Sequence, residues 1–176
     1  MTITPLTHDA VDDFVRAHIA LQHVTYAHLA NAGHAEALWT SFDDRVAGMH
    51  EAIDRPASEE NNLIARGVGG AVVAVGSAFV GVGEWERNLF GEAWRPSGAD
   101  WCLDTIYVMP SMRGSGLGQR LLDALLPDRR SAYLWVMTAN PGAIRFYERN
   151  GFVADGFGGT SGENWGALDM IRMVRT

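Results

Sequence analysis

The chain has 176 residues, a formal net charge of −7 and 14 basic side chains, every one of them arginine. Because lysine is absent, the phosphate loop of nucleotide hydrolases, the Schiff-base chemistry of pyridoxal enzymes and protein-kinase catalysis are excluded. The acidic balance argues against a nucleic-acid surface, and the single cysteine, Cys102, excludes an internal disulfide and a multi-thiolate metal site.

The first third of the chain has the apolar spacing of helices. Apolar residues three and four positions apart predict one helix over 11–22, and Asn31 and Gly33 are expected to interrupt it. A second helix is predicted to begin near residue 41 and to end at Pro56.

The middle of the chain is typical of strands. Two short apolar runs, 62–66 and 71–79, flank the glycine-rich turn 67–70 and predict a β-hairpin. Residues 82–99 are polar and predict a loop longer than most connections, and long loops in compact domains are often functional.

The remaining elements alternate between strand and helix, which predicts an α/β (α+β) chain with a mixed sheet. The loop between the last two strands is expected to contain Gly158, Gly159 and Gly162. Strands are predicted at 101–108, 133–137, 152–157 and 167–174, and helices at 117–125 and 141–149.

The same patterns predict one domain over residues 1–176, because the length is typical of a single domain and 47% of the residues are hydrophobic. The chain begins without a basic region followed by an apolar run, and no apolar run approaches the ~18 residues of a membrane span. We therefore expect a cytoplasmic protein with no membrane or nucleic-acid partner.

The most informative segment is 106–119, in which a strand runs into a glycine-rich turn and then into a helix. Glycines let backbone N–H groups approach an anion closely, and a helix N-terminus adds positive charge, so a phosphate or pyrophosphate is the expected ligand. The dinucleotide-binding pattern fails because Gln119 stands where its third glycine is needed. An ordinary strand-to-helix turn remains the alternative at this point.

A second segment, 140–152, makes the pattern specific. Together the two segments resemble the GNAT superfamily of acetyl-CoA-dependent N-acetyltransferases, whose acyl-CoA signature is filled by Arg113, Gly116 and Gly118. The matched core runs from about Trp101 to Phe152. The second motif of the family is filled by Asn140, Ala143, Phe146, Tyr147, Glu148, Gly151 and Phe152.

The resemblance implies the GNAT fold, a mixed and mostly antiparallel sheet of about seven strands flanked by about four helices. It implies a central parallel pair that splays beyond Val108 and Met137, and acetyl-CoA as co-substrate without a metal. Asn140 is implied to hold either the pantetheine arm or the start of the last helix. The residues implied to bind the donor are Ile106, Val108, Arg113, Gly114, Ser115, Gly116, Leu117, Gly118, Asn140 and Ala143.

The resemblance also assigns catalytic roles. Tyr147 is implied to protonate the departing CoA thiolate, with plain packing of an aromatic side chain as the alternative. A backbone N–H near Val108 is implied to polarise the thioester carbonyl. Many relatives carry a glutamate as the general base at the position of Cys102. The resemblance therefore does not identify the general base of this chain. Asp104 is the first candidate because it lies two residues on and hence on the same strand face, followed by Glu84 and Glu86, with an ordered water chain as a further alternative.

Other residues with reactive side chains fit binding or packing better than chemistry. Cys102 is expected to be a small buried residue rather than a nucleophile, since all six histidines lie within the first 50 residues. The histidine spacing does not match a helical metal site. His23, Tyr26 and His28 are candidates for lining the acceptor pocket, and an aromatic wall could be formed by Trp85, Trp94 and Trp101.

The sequence therefore predicts an enzyme that transfers acetyl from acetyl-CoA to a primary amine, with a small molecule as the expected acceptor. The acidic surface favours cationic amines through electrostatic steering. Alternatives are a non-catalytic acyl-CoA-binding sensor or docking module, and an N-acetyltransferase acting on proteins or peptides. The oligomeric state, including a homodimer, and an acyl donor longer than acetyl stay open.

Overall fold

The computed structural model describes residues 1–29, 33–163 and 166–176, so Asn31 lies outside the described residues. Seven strands and six α-helices are formed within these ranges. The strands are β1 (Thr2–Pro5), β2 (Glu60–Arg66), β3 (Val72–Val80), β4 (Trp101–Val108), β5 (Ala132–Met137), β6 (Val153–Thr160) and β7 (Asp169–Arg175). The helices are α1 (Val11–Tyr26), α2 (His34–Thr40), α3 (Phe42–Ile53), α4 (Glu84–Phe90), α5 (Leu117–Leu125) and α6 (Pro141–Arg149).

The strands form one open sheet in the order β1-β2-β3-β4-β5-β7-β6. Every neighbouring pair is antiparallel except β4 and β5, which are parallel at the centre. The predicted mixed sheet of seven strands with a central parallel pair is therefore confirmed.

Three details differ from the prediction. The expected loop 82–99 contains a helix, α4, and α2 is a second short helix, so six helices flank the sheet rather than about four. Each has seven residues, which is too short for a helical pattern to stand out from its surroundings. Gly158 and Gly159 lie within β6 instead of the following loop, because their backbones pair with Ile171 and Met170 of β7.

Both faces of the sheet are covered. On one face α5 buries four leucines, spaced three and four apart, against the central strands. On the other face α1 packs with α3, and both bury apolar side chains such as Phe14 and Ile19 against β2 and β3. No helix in the described ranges is long and apolar enough to cross a membrane.

The feature that positions the site is a break in the centre of the sheet. Ala78 pairs with Leu103 and Ser77 pairs with Thr105, so Asp104 is an extra residue at a β-bulge in β4. The pairing of β4 with β5 ends at Leu103, opposite Leu134. The expectation that the strands splay only beyond Val108 and Met137 is therefore wrong, because the bulge bends β4 away from β5 several residues earlier.

Candidate active site

Two cavities meet where β4 and β5 separate. One, of about 700 Å³, opens beside the glycine-rich turn and is called the turn cavity here. The other, of about 740 Å³, opens between α1, α3 and α4 and is called the helix cavity. Residues of the splay form a wall common to both, namely Tyr26, Asp104, Thr105, Tyr107, Trp135 and Val136.

The turn cavity contains most of the residues that the resemblance implied for the donor. Ser115 and Leu117 are not among its lining residues: Leu117 is buried in the core, and the Ser115 hydroxyl donates to the carbonyl of Met112 at 2.6 Å. The predicted residues that do line it are Ile106, Val108, Arg113, Gly114, Gly116, Gly118, Asn140, Ala143 and Tyr147.

The glycine-rich turn presents free backbone donors to this cavity. Gly114 and Gly116 have φ angles of +80° and +79°, a conformation that glycine adopts without strain. Within the described part of the chain, the N–H groups of Gly114, Gly116, Leu117 and Gly118 donate to no backbone carbonyl. Since these groups surround the N-terminus of α5, the turn suits an anion such as a pyrophosphate.

Asn140 and Tyr147 are placed by the start of α6. The Asn140 side-chain oxygen accepts a hydrogen bond from the N–H of Ala143 at 3.1 Å and thus caps the helix. Tyr147 lies two turns further on and packs edge-to-face against Phe146 and Phe152. Burial raises the pKa of Tyr147 above its ordinary value, so its phenol carries its proton and is a weaker acid than an exposed phenol.

Asp104 lies at the junction of the two cavities. Its Oδ2 atom accepts hydrogen bonds from the hydroxyls of Thr105 at 3.0 Å and Ser77 at 3.3 Å. The side chain is open to the cavities although protein surrounds it on the other sides. Burial raises the pKa of Asp104, and the two hydroxyls oppose that rise only in part. A carboxylate with a raised pKa is a better proton acceptor than an ordinary aspartate.

The two glutamates of α4 are placed differently from Asp104. Glu84 is exposed and is not among the residues that line either cavity. Glu86 is fully buried and accepts three hydrogen bonds, from the Tyr133 hydroxyl at 2.7 Å, the Trp135 indole at 2.9 Å and the Gly83 N–H at 3.2 Å. Its oxygens are therefore used to fix neighbouring side chains.

Aromatic side chains shape the helix cavity, and the most prominent was not found from the sequence. Trp135 lines both cavities and is stacked on Phe90 with ring centroids 4.8 Å apart. Of the three tryptophans expected to form a wall, Trp85 lines the helix cavity, whereas Trp94 and Trp101 line neither. Position 135 carries no signal beyond lying in a buried strand.

The three residues proposed to line the acceptor pocket, in the last turn of α1 and just after it, have different positions relative to the two cavities. Tyr26 lines both, and His28 lines the turn cavity. His23 lines neither, whereas His18, which the sequence did not single out for this role, lines the helix cavity. Burial, with a contribution from Arg45, lowers the pKa of His18 to about 3, so this imidazole is neutral.

Cys102 is buried beneath the splay beside Tyr133 and Val174. Burial raises the pKa of its thiol well above the ordinary value, and the charges of Asp104 and Glu86 add to that effect. A protonated, buried thiol is a poor nucleophile, as the sequence predicted. Among the residues that the structure describes, no group of three His, Cys, Asp or Glu side chains could hold a metal ion.

Fold and site together define an acyltransferase with an open sheet, a splayed central parallel pair and a cavity on each side of the splay. Residues 6–152 match the profile of the acetyltransferase (GNAT) family, and the chain belongs to that family. No curated protein matches the sequence at a significant level.

Solved structures share the fold over nearly the whole chain. A PaiA N-acetyltransferase of Thermoplasma acidophilum in complex with coenzyme A has a TM-score of 0.66 and 15% identity, covering 97% of this chain and 96% of its own. A spermidine N-acetyltransferase of Vibrio cholerae has a TM-score of 0.59 and 19% identity, with coverages of 99% and 94%. A Corynebacterium glutamicum protein described as "histone acetyltransferase HPA2 and related acetyltransferase" has a TM-score of 0.62 and 22% identity. The match covers 99% of this chain and 94% of that protein.

Proposed function

We propose that the protein transfers the acetyl group of acetyl-CoA to a primary amine of a small molecule by direct attack in a ternary complex. The observation that carries this proposal is the meeting of the two cavities at Asp104. Such a junction lets donor and acceptor enter from different sides and meet at one carboxylate. A cavity of about 740 Å³ has the size of a pocket for a small molecule.

The donor enters the turn cavity with its pyrophosphate on the backbone N–H groups around Gly114 to Gly118. Beyond Leu103 the edge of β4 that faces β5 has no strand partner among the residues that the structure describes, so the pantetheine arm can pair with Ile106 and Val108. The Thermoplasma relative of this fold holds coenzyme A, which supports the same ligand here.

The reaction needs one proton acceptor and one proton donor. An ammonium acceptor has a pKa of about 10 and must lose a proton before it attacks, and Asp104 receives that proton directly or through water. The C–N bond then forms, the thioester C–S bond breaks, and Tyr147 gives its proton to the departing thiolate. The nitrogen loses its second proton as the amide forms, and this proton restores the neutral Tyr147 phenol directly or through water. A backbone N–H near Val108 stabilises the oxyanion between these steps.

The presence of Asp104 also favours this proposal over a non-catalytic CoA-binding module. The alternative of a non-catalytic module rested on the absence of a glutamate at the position of Cys102. The β-bulge places another carboxylate, that of Asp104, two residues further on at the junction of the cavities. A catalytic site therefore has the acid–base pair that it requires.

The test combines calorimetric titration with coenzyme A and a thiol-release screen with acetyl-CoA over a broad set of amines. We expect binding and, for at least one amine, turnover. Tyr147→Phe should lower kcat by about 10²-fold or more while the Kd for coenzyme A stays within about twofold. Binding without thiol release for any amine would favour the sensor module, and wild-type kcat in Tyr147→Phe would show that another group protonates the thiolate.

A further inference from the structure

Arg45 of α3 lines the helix cavity with most of its donors unused. Its Nε–H donates to the Ser41 hydroxyl at 2.8 Å. Its two terminal NH₂ groups donate to no residue in the described ranges, and no carboxylate there lies within ion-pairing distance of it. By contrast, the half-buried Arg66 is paired with Asp13 and the buried Arg172 with Asp155.

An unpaired guanidinium in such a place is unfavourable by itself. Burial lowers the pKa of Arg45, and the nearby Tyr107 and Asp104 oppose that shift only in part. His18 beside it is neutral, so among the described residues that line the helix cavity Arg45 carries the only positive charge. A planar guanidinium with two free NH₂ groups matches a carboxylate through paired hydrogen bonds.

Asp104 and Arg45 lie in the same cavity without forming an ion pair. Each shifts the pKa of the other: Arg45 lowers the pKa of Asp104, and Asp104 raises the pKa of Arg45. Burial is the larger cause of the pKa shift of each residue. The cavity thus offers the Asp104 carboxylate at the donor junction and the Arg45 guanidinium away from the turn cavity, and a second carboxylate, Glu163, also lines it. Apolar surface from Trp85, Leu89 and Trp135 lies beside them.

We propose that the acceptor is a free amino acid, whose amine faces Asp104, whose carboxylate pairs with Arg45 and whose apolar side chain packs against the tryptophans. This inference rests on the proposed acetyl transfer and names its substrate class. The amine nitrogen bonds to the acetyl carbon and the thioester C–S bond breaks. The nitrogen loses two protons as the ammonium becomes an amide: the first passes to the base, and the second replaces the proton that Tyr147 gives to the departing thiolate, which leaves as free coenzyme A.

The experiment measures thiol release for matched acceptors that differ only in the carboxylate: L-phenylalanine with phenethylamine, and L-leucine with isoamylamine. For the wild-type protein we expect kcat/KM to favour the amino acid of each pair by tenfold or more. Arg45→Gln should lower kcat/KM for each amino acid by about tenfold to a hundredfold relative to that for its matched simple amine. Arg87→Gln makes the same charge change on exposed α4, outside the cavity lining, and should keep the wild-type ratio.

A binding measurement keeps the inference testable without turnover. Hydrocinnamate has the carboxylate and ring of phenylalanine without its amine. With coenzyme A present it should raise the Tm of the wild-type protein and of Arg87→Gln, but not that of Arg45→Gln. The Tm of Arg45→Gln without ligand reports whether the variant is folded.

The outcomes separate this inference from the proposed function. Thiol release with equal preference for both members of each pair, or an equal loss for both in Arg45→Gln, would overturn the amino-acid acceptor and leave acetyl transfer standing. Absence of thiol release from every acceptor would count against acetyl transfer itself. The carboxylate site would then be decided by hydrocinnamate, and no rise in the wild-type Tm would overturn it.

Discussion

Asp104 and Thr105 are neighbours in β4, and regular strand alternation would send their side chains to opposite faces. The Thr105 hydroxyl instead donates to Asp104, which requires both side chains to be on one side of β4. The bulge accounts for this arrangement and also opens β4 away from β5.

Replacing Asp104 by asparagine tests the base and its environment together. Because a positioned base contributes about 10²–10⁴-fold, Asp104→Asn should lower kcat/KM by at least about a hundredfold at neutral pH. In the wild-type protein kcat/KM should rise with pH around a pKa above the ordinary aspartate range. The variant should lose this rising limb of the pH profile. Glu84→Gln, on an exposed residue outside the cavity lining, should retain it. An unchanged limb in Asp104→Asn would exclude Asp104 as the base.

The stability of the same variant should change in the opposite direction from its activity. The pKa of Asp104 is raised in the folded protein, so its protonated form stabilises the fold at low pH. That contribution is lost as the pH rises through the folded pKa. At pH 7 the free energy of unfolding of Asp104→Asn should therefore equal or exceed that of the wild type, as urea titration would measure. A clear loss at pH 7 would show that the charged carboxylate stabilises the fold.

At the scale of elements, whether a helix could be predicted from the sequence depended on its length and on local sequence signals. Helix α6 was predicted with its observed bounds because Asn140, Pro141 and Gly151 mark its ends, and α5 because its leucines repeat at helical spacing. Helix α4 was predicted as a loop, since a seven-residue segment is not stable alone and depends on tertiary contacts. Those contacts converge on Glu86, which in the sequence is indistinguishable from the exposed Glu84.

The role of Glu86 in holding α4 to the sheet can be measured. Glu86→Ala leaves the Tyr133 hydroxyl, the Trp135 indole and the Gly83 N–H without their shared acceptor in a buried site. We expect a loss of about 2–4 kcal/mol in the free energy of unfolding. Glu84→Ala on the same helix should change it by less than about 0.5 kcal/mol. Similar losses for the two variants would mean that Glu86 does not anchor the helix.

At the scale of the molecule, the site is assembled from parts that no sequence spacing connects. Arg45 arrives from α3 and Trp135 from β5, on either side of the helix cavity, and neither belongs to a motif. The glycine-rich turn and α6 were predictable because backbone conformation and caps leave local signals. The cavity depends on where the sheet opens, which is a property of strand pairing rather than of any one strand.

The absence of lysine gives the whole chain a distinct chemical signature. Acetyl-CoA also acetylates exposed lysine amines, but this chain offers only its N-terminal amine and a buried Cys102. Because burial holds the thiol protonated, direct attack in a ternary complex should leave no acetyl group on the protein. Mass spectrometry of protein incubated with acetyl-CoA, without acceptor, should show an unmodified chain or a single acetyl group on the N-terminus. Stable acetylation of Cys102 would contradict direct transfer and indicate a covalent acyl-enzyme, whereas Cys102→Ala should turn over amines as the wild type does.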